Sequence, residues 1–218
     1  PQPGIINALA ADLNRDGGIS EMFVASASSD SSLFIYSYIF NDKSVQCTRI
    51  SSMVHKSPII DVDLSYTYDL VASIDKSTLA FTSLNSGKLI VLATLDVIPL
   101  KVLITEVGYV IVVSSIEEND EKATRIDLYD SMCNRINTKE MLGECIAMTV
   151  YTDPNLEEYA IISFSDNTFV IMSIFDLINV AKGVLPRNGI AVASSKELSC
   201  AIFCLDDGTL FVEPFNLA

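Results

Sequence analysis

One pattern of short apolar runs, clearest from His55 to Leu95, recurs through the chain and limits the folds it can adopt. In this stretch Pro58–Leu64 alternates apolar and polar residues, and three similar runs follow, separated by turn-type residues. Alternation with a period of two, in runs of about five to eight residues between turns, is typical of antiparallel strands. The stretch therefore predicts a small sheet of four strands.

Five copies of this unit can be aligned along the sequence. Each copy contains two apolar residues two positions apart, and most are preceded by small and β-branched residues, an Asp or Ser, a short polar turn and a Ser or Thr. The marker pairs follow one another at 41 to 47 residues: Leu33/Ile35, Leu79/Phe81, Ile126/Leu128, Phe169/Ile171 and Leu210/Val212. The third copy departs from the pattern with a longer acidic loop, IEENDEKA. Repetition of a four-stranded unit of this length predicts an all-β fold, a β-propeller of WD-repeat type.

The copies divide the chain into about five blades, four-stranded except for the last, which shows three clear strands. Their approximate bounds are 1–53, 54–98, 99–142, 143–186 and 187–218, and we predict that residues 1–218 form a single, partial propeller. Seven blades are more common in this architecture than five, and open sheet edges are a liability. We therefore expect further blades in a seven-bladed ring, or a surplus strand of the first unit that closes a smaller ring.

Composition excludes several classes of partner. Half of the residues are hydrophobic and 19% are charged, which is typical of a chain with a large buried core. The formal net charge is −14, and basic residues are not clustered. Nucleic acid and anionic membrane surfaces attract clustered Lys and Arg, so neither is an expected partner. Charged residues and a proline interrupt the apolar segment Leu89–Val113, which predicts buried strands instead of a membrane span.

The cysteines indicate a reducing compartment. Five cysteines are present, an odd number, and none forms a CxxC pair. No signal peptide is recognisable. Together these features predict buried free thiols and a cytoplasmic location. Because the chain contains one histidine, it does not supply the ligand spacing that a zinc site needs.

The first predicted loop, DLNRDGG, contains a partial calcium-binding motif. Oxygen-bearing side chains at alternate positions before a Gly suit Ca²⁺, and Asp12, Asn14 and Asp16 follow this pattern. The loop resembles the DxNxDG loops of integrin-type propeller repeats. The twelfth position of an EF-hand loop, however, is occupied here by Phe23, and Glu21 fits only with altered spacing. A hairpin turn rich in Asn, Asp and Gly is the simpler interpretation, with calcium as the alternative.

The second unit contains residues that suggest a buried hydrogen-bond network. Val54-His55 stands where WD-repeat proteins often have a Gly-His pair, and His55, Ser73 and Asp75 are predicted to join in bracing the blade. The Trp expected in the next strand is replaced by Thr82. Only Tyr129-Asp130 stays near the Trp-Asp signature. A structural role is therefore expected for His55, in preference to a catalytic one.

Sequence motifs for catalysis are missing. We find no GxSxG, GxxxxGK[ST], GxGxxG or HExxH pattern. Two acidic pairs, Asp61/Asp63 and Asp206/Asp207, could in principle serve hydrolysis, but turn or rim positions are commoner for such pairs. The sequence predicts a protein that is not an enzyme and has no cofactor.

Several segments resemble the C-terminal propeller of BEACH-domain proteins, the group that includes neurobeachin and the lysosomal trafficking regulator. The similar segments are MFVASASSDSSLFIYSYIF, RISSMVHKSPIIDVDLSYTYDLVASIDKSTLAFTSLNSGKLI, PLKVLITEVGYVIVVSS, IDLYDSMCNRI, SDNTFVIMSIFDL and LDDGTLFVEPF. The chain departs from the family in its lack of Trp and in having SIDKS where the family has SGSxDG. The resemblance implies a cytoplasmic scaffold in vesicle and lysosomal membrane trafficking, with BEACH and pleckstrin-like domains upstream. It transfers no partner-binding residue to this chain.

The predicted function is therefore a non-catalytic scaffold that binds other proteins through rim and top loops. A stiff frame of blades presents these loops, and recognition is commonly located on such loops. The acidic balance favours partners with basic patches and an association rate that falls with salt. Two alternatives stay open: a WD-repeat adaptor of another complex, and a calcium-binding, integrin-like propeller that uses the Asp12–Glu21 loop.

Overall fold

The computed structural model describes residues 4–14, 20–41, 44–118 and 121–215. The described residues contain strands and turns but no helix, and hence no helix that could cross a membrane. The strands are β1 (Ile6–Asn14), β2 (Ser20–Ser28), β3 (Leu33–Asn41), β4 (Ser44–Ser52), β5 (Asp61–Ser65), β6 (Leu70–Ile74), β7 (Thr78–Ser83), β8 (Leu89–Thr94), β9 (Ile98–Ile104), β10 (Val110–Glu118), β11 (Glu121–Tyr129), β12 (Arg135–Leu142), β13 (Cys145–Thr152), β14 (Glu158–Phe164), β15 (Thr168–Ser173), β16 (Asn179–Val184), β17 (Gly189–Ser195), β18 (Cys200–Leu205) and β19 (Leu210–Pro214). The prediction of an all-β chain is confirmed.

Within the described residues, the strands form five separate sheets in which consecutive strands are neighbours. Sheet 1 contains β1–β4, sheet 2 β5–β8, sheet 3 β9–β12, sheet 4 β13–β16 and sheet 5 β17–β19. Strand pairs such as β6 and β7 are antiparallel, with Ala72 opposite Phe81. Each sheet therefore corresponds to one predicted repeat, and sheet 5 has the three strands that the sequence indicated. The first strand of sheet 2 is shorter than predicted, because it begins at Asp61 instead of Pro58.

Runs of small residues lie in the second strand of their sheet. Such a strand pairs on both edges and is packed on both faces, so small and β-branched side chains suit it. All five residues of β6 and all seven of β14 are buried. By contrast β8 and β16, the outer strands of sheets 2 and 4, are largely exposed.

The recurring Asp and Ser/Thr residues close the hairpin between the second and third strands. In sheet 4, Asp166 Oδ1 accepts hydrogen bonds from Thr168 N (2.9 Å) and Thr168 Oγ1 (2.6 Å). Asp207 makes the same two bonds with Thr209, at 3.0 and 2.6 Å. These bonds lower the pKa of both carboxyl groups. The repeat in the sequence is thus a repeated side-chain clip across a tight turn.

The chain divides into two compact units. Unit 1 comprises Pro1–Ile104, Gly108–Ser114 and Tyr129–Asn134, and unit 2 comprises Thr105–Val107, Ser115–Leu128 and Arg135–Ala218. Two apolar clusters lie among the described residues of unit 1. One joins sheets 1 and 2 and includes Leu33, Ile35, Ile59 and Val71, and the other joins sheet 2 to β9 and β10. Burial of such side chains, at about 25 cal/mol per Å², drives the packing of neighbouring sheets.

Among the described residues of unit 2, an apolar cluster and polar contacts from β12 connect neighbouring sheets. The cluster joins sheets 4 and 5. Within it, the ring centroids of Phe169 and Phe203 lie 5.0 Å apart. On β12, the Lys139 ammonium donates hydrogen bonds to Leu177 O (2.7 Å) and Asn179 Oδ1 (3.1 Å). A buried aromatic pair and a side-chain bond to a turn carbonyl both fix the spacing of adjacent sheets.

The five cysteines are all free thiols, as the odd count suggested. The prediction that they are buried is only partly right. Cys133 and Cys200 are buried, Cys145 and Cys204 are half-buried, and Cys47 is exposed on β4. Cys47 lies on the fourth strand of sheet 1, the edge position at which exposed residues predominate. Burial raises the pKa of the Cys133 thiol to about 12, which makes it unreactive.

Candidate functional site

The structure brings His55, Ser73 and Asp75 together in sheet 2. His55 Nε2 lies 2.8 Å from Ser73 Oγ, and Nδ1 lies 3.1 Å from Thr78 Oγ1 and 3.3 Å from Asp75 Oδ2. Thr78 Oγ1 donates its own hydrogen to Asp75 Oδ1 (2.8 Å) and so can only accept from the imidazole. A proton on Nδ1, with Nε2 accepting from Ser73, satisfies these contacts. Burial lowers the pKa of His55, against the opposing effect of Asp75, so the ring is neutral near pH 7.

Asp75 is the most heavily hydrogen-bonded member of this network. Burial alone would raise its pKa, but bonds from Ser77 N, Thr78 N, Thr78 Oγ1 and Ser57 Oγ outweigh burial and lower the pKa to about 2. Thr82, which occupies the position of the expected Trp, lies outside the network, and its buried hydroxyl has no partner among the described residues. Ser57 and Thr78 also belong to the network, and neither was predicted from the sequence. Thr78 could have been found, because it is the Ser/Thr of the repeated turn motif. The contacts of His55 suit a brace between segments of the sheet.

The predicted calcium-loop residues do not converge in the part of the chain that the structure describes. Asp12 lies on β1, where Oδ2 accepts a hydrogen bond from Tyr66 N (2.9 Å) in sheet 2. Asn14 is paired with Glu21 across the β1–β2 ladder, and the Glu21 carboxylate accepts a bond from Ser37 Oγ. Asp16 lies outside the described residues. Among those described, no group of three or more His, Cys, Asp or Glu residues could hold a metal ion, and the calcium loop stays a hypothesis.

Asp61 and Asp63 both connect β5 to β9. Asp61 Oδ2 accepts a hydrogen bond from Val102 N (2.9 Å), and Asp63 Oδ2 accepts one from Ile104 N (2.7 Å). Burial raises the pKa of Asp61 and raises that of Asp63 to about 6, where the nearby charges of Asp61 and Asp12 add to the effect. Like Asp12, these carboxylates hold the first strand of one sheet to the next sheet. They are engaged in structural contacts and do not face each other across a substrate-sized space.

The second acidic pair is occupied in a turn. Asp207 binds Thr209 as described above and forms an ion pair of 3.0 Å with Arg187, and Asp206 N donates to Asn188 O. In unit 2 a further carboxylate, Glu158, accepts a hydrogen bond from Val107 N (3.0 Å), and burial raises its pKa. Sequence reasoning did not single out Glu158, because a lone Glu at a strand start carries no motif.

Two grooves on the described part of the surface could receive a binding partner. In unit 1, a groove of about 240 Å³ lies on sheet 1 beside the β7–β8 turn and is lined by Glu21, Phe23, Ile35, Ser37, Ile39, Thr48, Ile50, Leu84 and Asn85. In unit 2, a groove of about 490 Å³ is lined by Glu121, Lys122, Met141, Leu142, Gly143, Phe164, Asp166, Thr168, Val170, Asn179 and Lys182. Both combine apolar floors with a few charged side chains, as binding sites usually do.

Comparison with known proteins identifies the fold and leaves the family open. No protein-family model matches the sequence, and the comparison with curated proteins found no match. One similar solved structure is that of BBS1N in complex with ARL6DN, soaked with mercury: the TM-score is 0.73 at 13% identity, over 100% of this chain and 67% of the other. Another is the mitotic checkpoint complex, with a TM-score of 0.69 at 14% identity, over 96% of this chain and 61% of the other.

The chain therefore spans about two thirds of the length of these structural neighbours. Together with the five sheets, the likeness confirms the predicted class of protein, an all-β propeller of WD-repeat type. At sequence identities of 13% and 14%, the likeness shows a shared fold but does not show a shared family or function. Membership of the BEACH group, a single domain over residues 1–218 and a seven-bladed ring stay predictions.

Proposed function

We propose that this chain is a non-catalytic scaffold that binds other proteins. The proposal rests on the observation that the side chains suited to catalysis are already engaged in structural hydrogen bonds. The sequence offered His55 and the acidic pairs Asp61/Asp63 and Asp206/Asp207 for a catalytic site. The side chains of His55, Asp61, Asp63 and Asp207 are each engaged in hydrogen bonds within a turn or between strands or sheets. The two grooves, one in unit 1 and one in unit 2, supply recognition surfaces on a stiff frame.

Protein partners are also the class favoured by the structural neighbours. Both neighbours are propellers seen in protein complexes, BBS1N with ARL6DN and the mitotic checkpoint complex. The net charge of −14 points to partners with basic surfaces, whose association is faster at low ionic strength. Nucleic acid and direct membrane insertion do not fit this charge and strand pattern.

A narrower role follows from the resemblance to BEACH-domain proteins. The blade-like segment at residues 22–95 and the closing LDDGTLFVEPF segment support placement at the C-terminus of a BEACH-type protein. Under this proposal the propeller works in the cytoplasm, at vesicle or lysosomal membranes reached through neighbouring domains, and it holds partner proteins during trafficking. An adaptor role in another complex is the competing assignment, and the sequence that adjoins this segment in its gene distinguishes the two.

Direct binding measurements test the scaffold proposal. Proteins that cross-link to the purified chain are expressed separately and titrated against it by calorimetry at about 50 mM and about 500 mM salt. We expect at least one stoichiometric complex whose affinity falls as salt increases, because the chain is strongly acidic. Affinities that do not change with salt would contradict the proposal that charge attracts the partners. Chemical conversion of a partner by the chain would contradict the proposal that the scaffold is non-catalytic.

A further inference from the structure

Sheet 1 extends beyond sheet 2 because its strands are longer. Each of β1–β4 contains nine residues, whereas β5–β8 contain five or six. Three or four additional residues lengthen a strand by roughly 10 Å at about 3.3 Å per residue. Among the described residues, sheet 2 therefore leaves one end of the facing side of sheet 1 uncovered, and the groove of unit 1 lies at this end.

Side chains of three neighbouring strands line the groove in cross-strand rows. The rows of paired residues, in the order β2–β3–β4, are Ala25–Ile35–Ile50, Phe23–Ser37–Thr48 and Glu21–Ile39–Gln46. All of these residues except Ala25 and Gln46 line the groove. The first row is the most covered: Ala25 and Ile35 are buried, and Leu84 of the β7–β8 turn lines the groove beside them. The third row is farthest from this cover. The groove thus has an apolar inner end and a carboxylate, that of Glu21, at its outer end.

The walls of the groove are held in place by packing. Phe23 stacks on Tyr66 of sheet 2, with ring centroids 5.4 Å apart. The β7–β8 turn lies so close to β4 that a Cβ atom on Gly87 would approach Ile50 Cγ2 to 2.2 Å. At the outer end, Ser37 Oγ donates a hydrogen bond to Glu21 Oε1, which fixes the direction of the carboxylate. A preformed groove with an oriented charge loses little entropy when it binds.

The size of the groove favours a single side chain as its occupant. Its volume is about 240 Å³, below the range of about 300–1,000 Å³ typical of small-molecule sites. A long side chain with an apolar stem and a cationic end matches the apolar floor and the terminal carboxylate. Arginine fits better than lysine, because its planar guanidinium can donate two hydrogen bonds to one carboxylate, and because Arg is enriched among interface anchors.

We propose that the groove lined by Phe23, Ile35, Ile50 and Leu84 receives an arginine side chain of a partner protein, with the guanidinium bound to Glu21. This assignment rests on the proposed scaffold function and specifies one partner contact. The net charge of −14 attracts basic partners to the whole chain, whereas Glu21 selects the position of one basic side chain. Ser37 is a positioning residue, since it acts through Glu21.

The test uses a minimal probe, N-acetyl-arginine amide, titrated into the chain with ¹³C-labelled isoleucine methyl groups. The signals of Ile35, Ile39 and Ile50 are assigned with Ile→Val variants. We expect these three signals to shift in a saturable manner at millimolar probe, because one charged hydrogen-bonded contact supplies little affinity by itself. The citrulline analogue, which has nearly the same shape without the charge, should shift them at least about tenfold more weakly.

Two variants complete the experiment. Glu21→Gln keeps the shape of the side chain and should weaken probe binding at least about tenfold. Glu140→Gln removes a charge from an exposed position on β12, far along the sequence from the groove, and should leave binding unchanged. Equal shifts with the citrulline analogue, an unaltered response in Glu21→Gln, or no saturable shift would overturn the assignment. Those results would leave the scaffold function standing, since that function is judged by whole partner proteins.

Discussion

His55 and Asp75 show how a polar network can be buried at little cost. A buried charge is unfavourable unless hydrogen bonds replace water, and Asp75 receives bonds from two backbone amides and two hydroxyls. The neutral His55 ring joins this carboxylate to Ser73 on β6. Partial removal of such a network should cost more than its average bond, because the remaining members stay buried and lose partners.

Replacement of Asp75 should therefore be strongly destabilising. We expect Asp75→Ala to lower the free energy of unfolding by about 2–4 kcal/mol, because it leaves the amides and His55 without their acceptor. Lys76→Ala, an exposed position in the same turn, should change stability by less than about 0.5 kcal/mol. Urea denaturation measures both values. Equal effects of the two substitutions would show that the network does not stabilise the sheet.

Asp63 should make stability depend on pH in a defined direction. Burial raises its pKa from 3.8 to about 6, so the folded chain holds its proton more tightly than the unfolded chain. The corresponding stabilisation, about 3 kcal/mol, is present below about pH 4 and is lost as pH rises through about 6. Asp63→Asn lacks this titration. The stability of wild type relative to Asp63→Asn should therefore fall by about 2.5 kcal/mol between pH 4 and pH 7, because the unfolded carboxyl group is already more than half ionised at pH 4.

Denaturation of both proteins across this pH range gives the difference directly. The lowered pKa of Asp75 is common to the two proteins and cancels. A constant difference between wild type and Asp63→Asn from pH 4 to pH 7 would mean that Asp63 titrates normally in the folded chain.

Individual contacts could be predicted only where a motif fixed them. His55, Ser73 and Asp75 were placed together because a repeated blade pattern fixes their spacing. Asp61 and Asp63 could only be described as an acidic pair, since their partners, Val102 N and Ile104 N, belong to the next sheet. The groove at Glu21 was not predicted. It depends on which strands extend past their neighbours, and that difference becomes visible only when sheets are packed.

The strands and turns of this chain are largely determined locally. The Asp and Ser/Thr residues at the turns bond each other within two or three positions, so the hairpins that they close can be recognised in the sequence. Strand ends were less predictable. β5 begins at Asp61 and not at Pro58.

Two glycines have a left-handed backbone, but an added Cβ atom would meet a neighbouring side chain at only one of them. Substitution of both allows the cost of backbone strain to be measured separately from the cost of a steric clash. Gly87 (φ +67°) lies in the turn packed on β4, and Gly208 (φ +81°) lies in a turn with no atom within 4 Å of an added Cβ. Gly208→Ala should cost about 1–2 kcal/mol from backbone strain alone. Gly87→Ala should cost a further 1–3 kcal/mol or so, because its Cβ meets the stiff, branched Ile50. Thermal unfolding of the two variants measures the difference, and equal losses would contradict the close approach of turn and strand.

At the level of the whole chain, repetition made the fold class predictable. Each repeat has its own turn signals, so five copies could be counted without knowledge of tertiary contacts. The division into two compact units was not foreseen, because packing between sheets depends on contacts that no local motif encodes. For the same reason the number of blades in a complete ring stays a prediction. The net charge of −14 follows directly from the sequence, and from it we expect partners with basic surfaces.

Nuclear Overhauser contacts between backbone protons test the repeated sheet most directly. We expect antiparallel contacts between consecutive strands of each repeat, for example Ala72 with Phe81, Ile161 with Ile171 and Ile202 with Val212. The order of pairing should be the same in every repeat. Sequential helical contacts in these segments, or pairing of strands from different repeats within one sheet, would contradict the repeated-sheet fold.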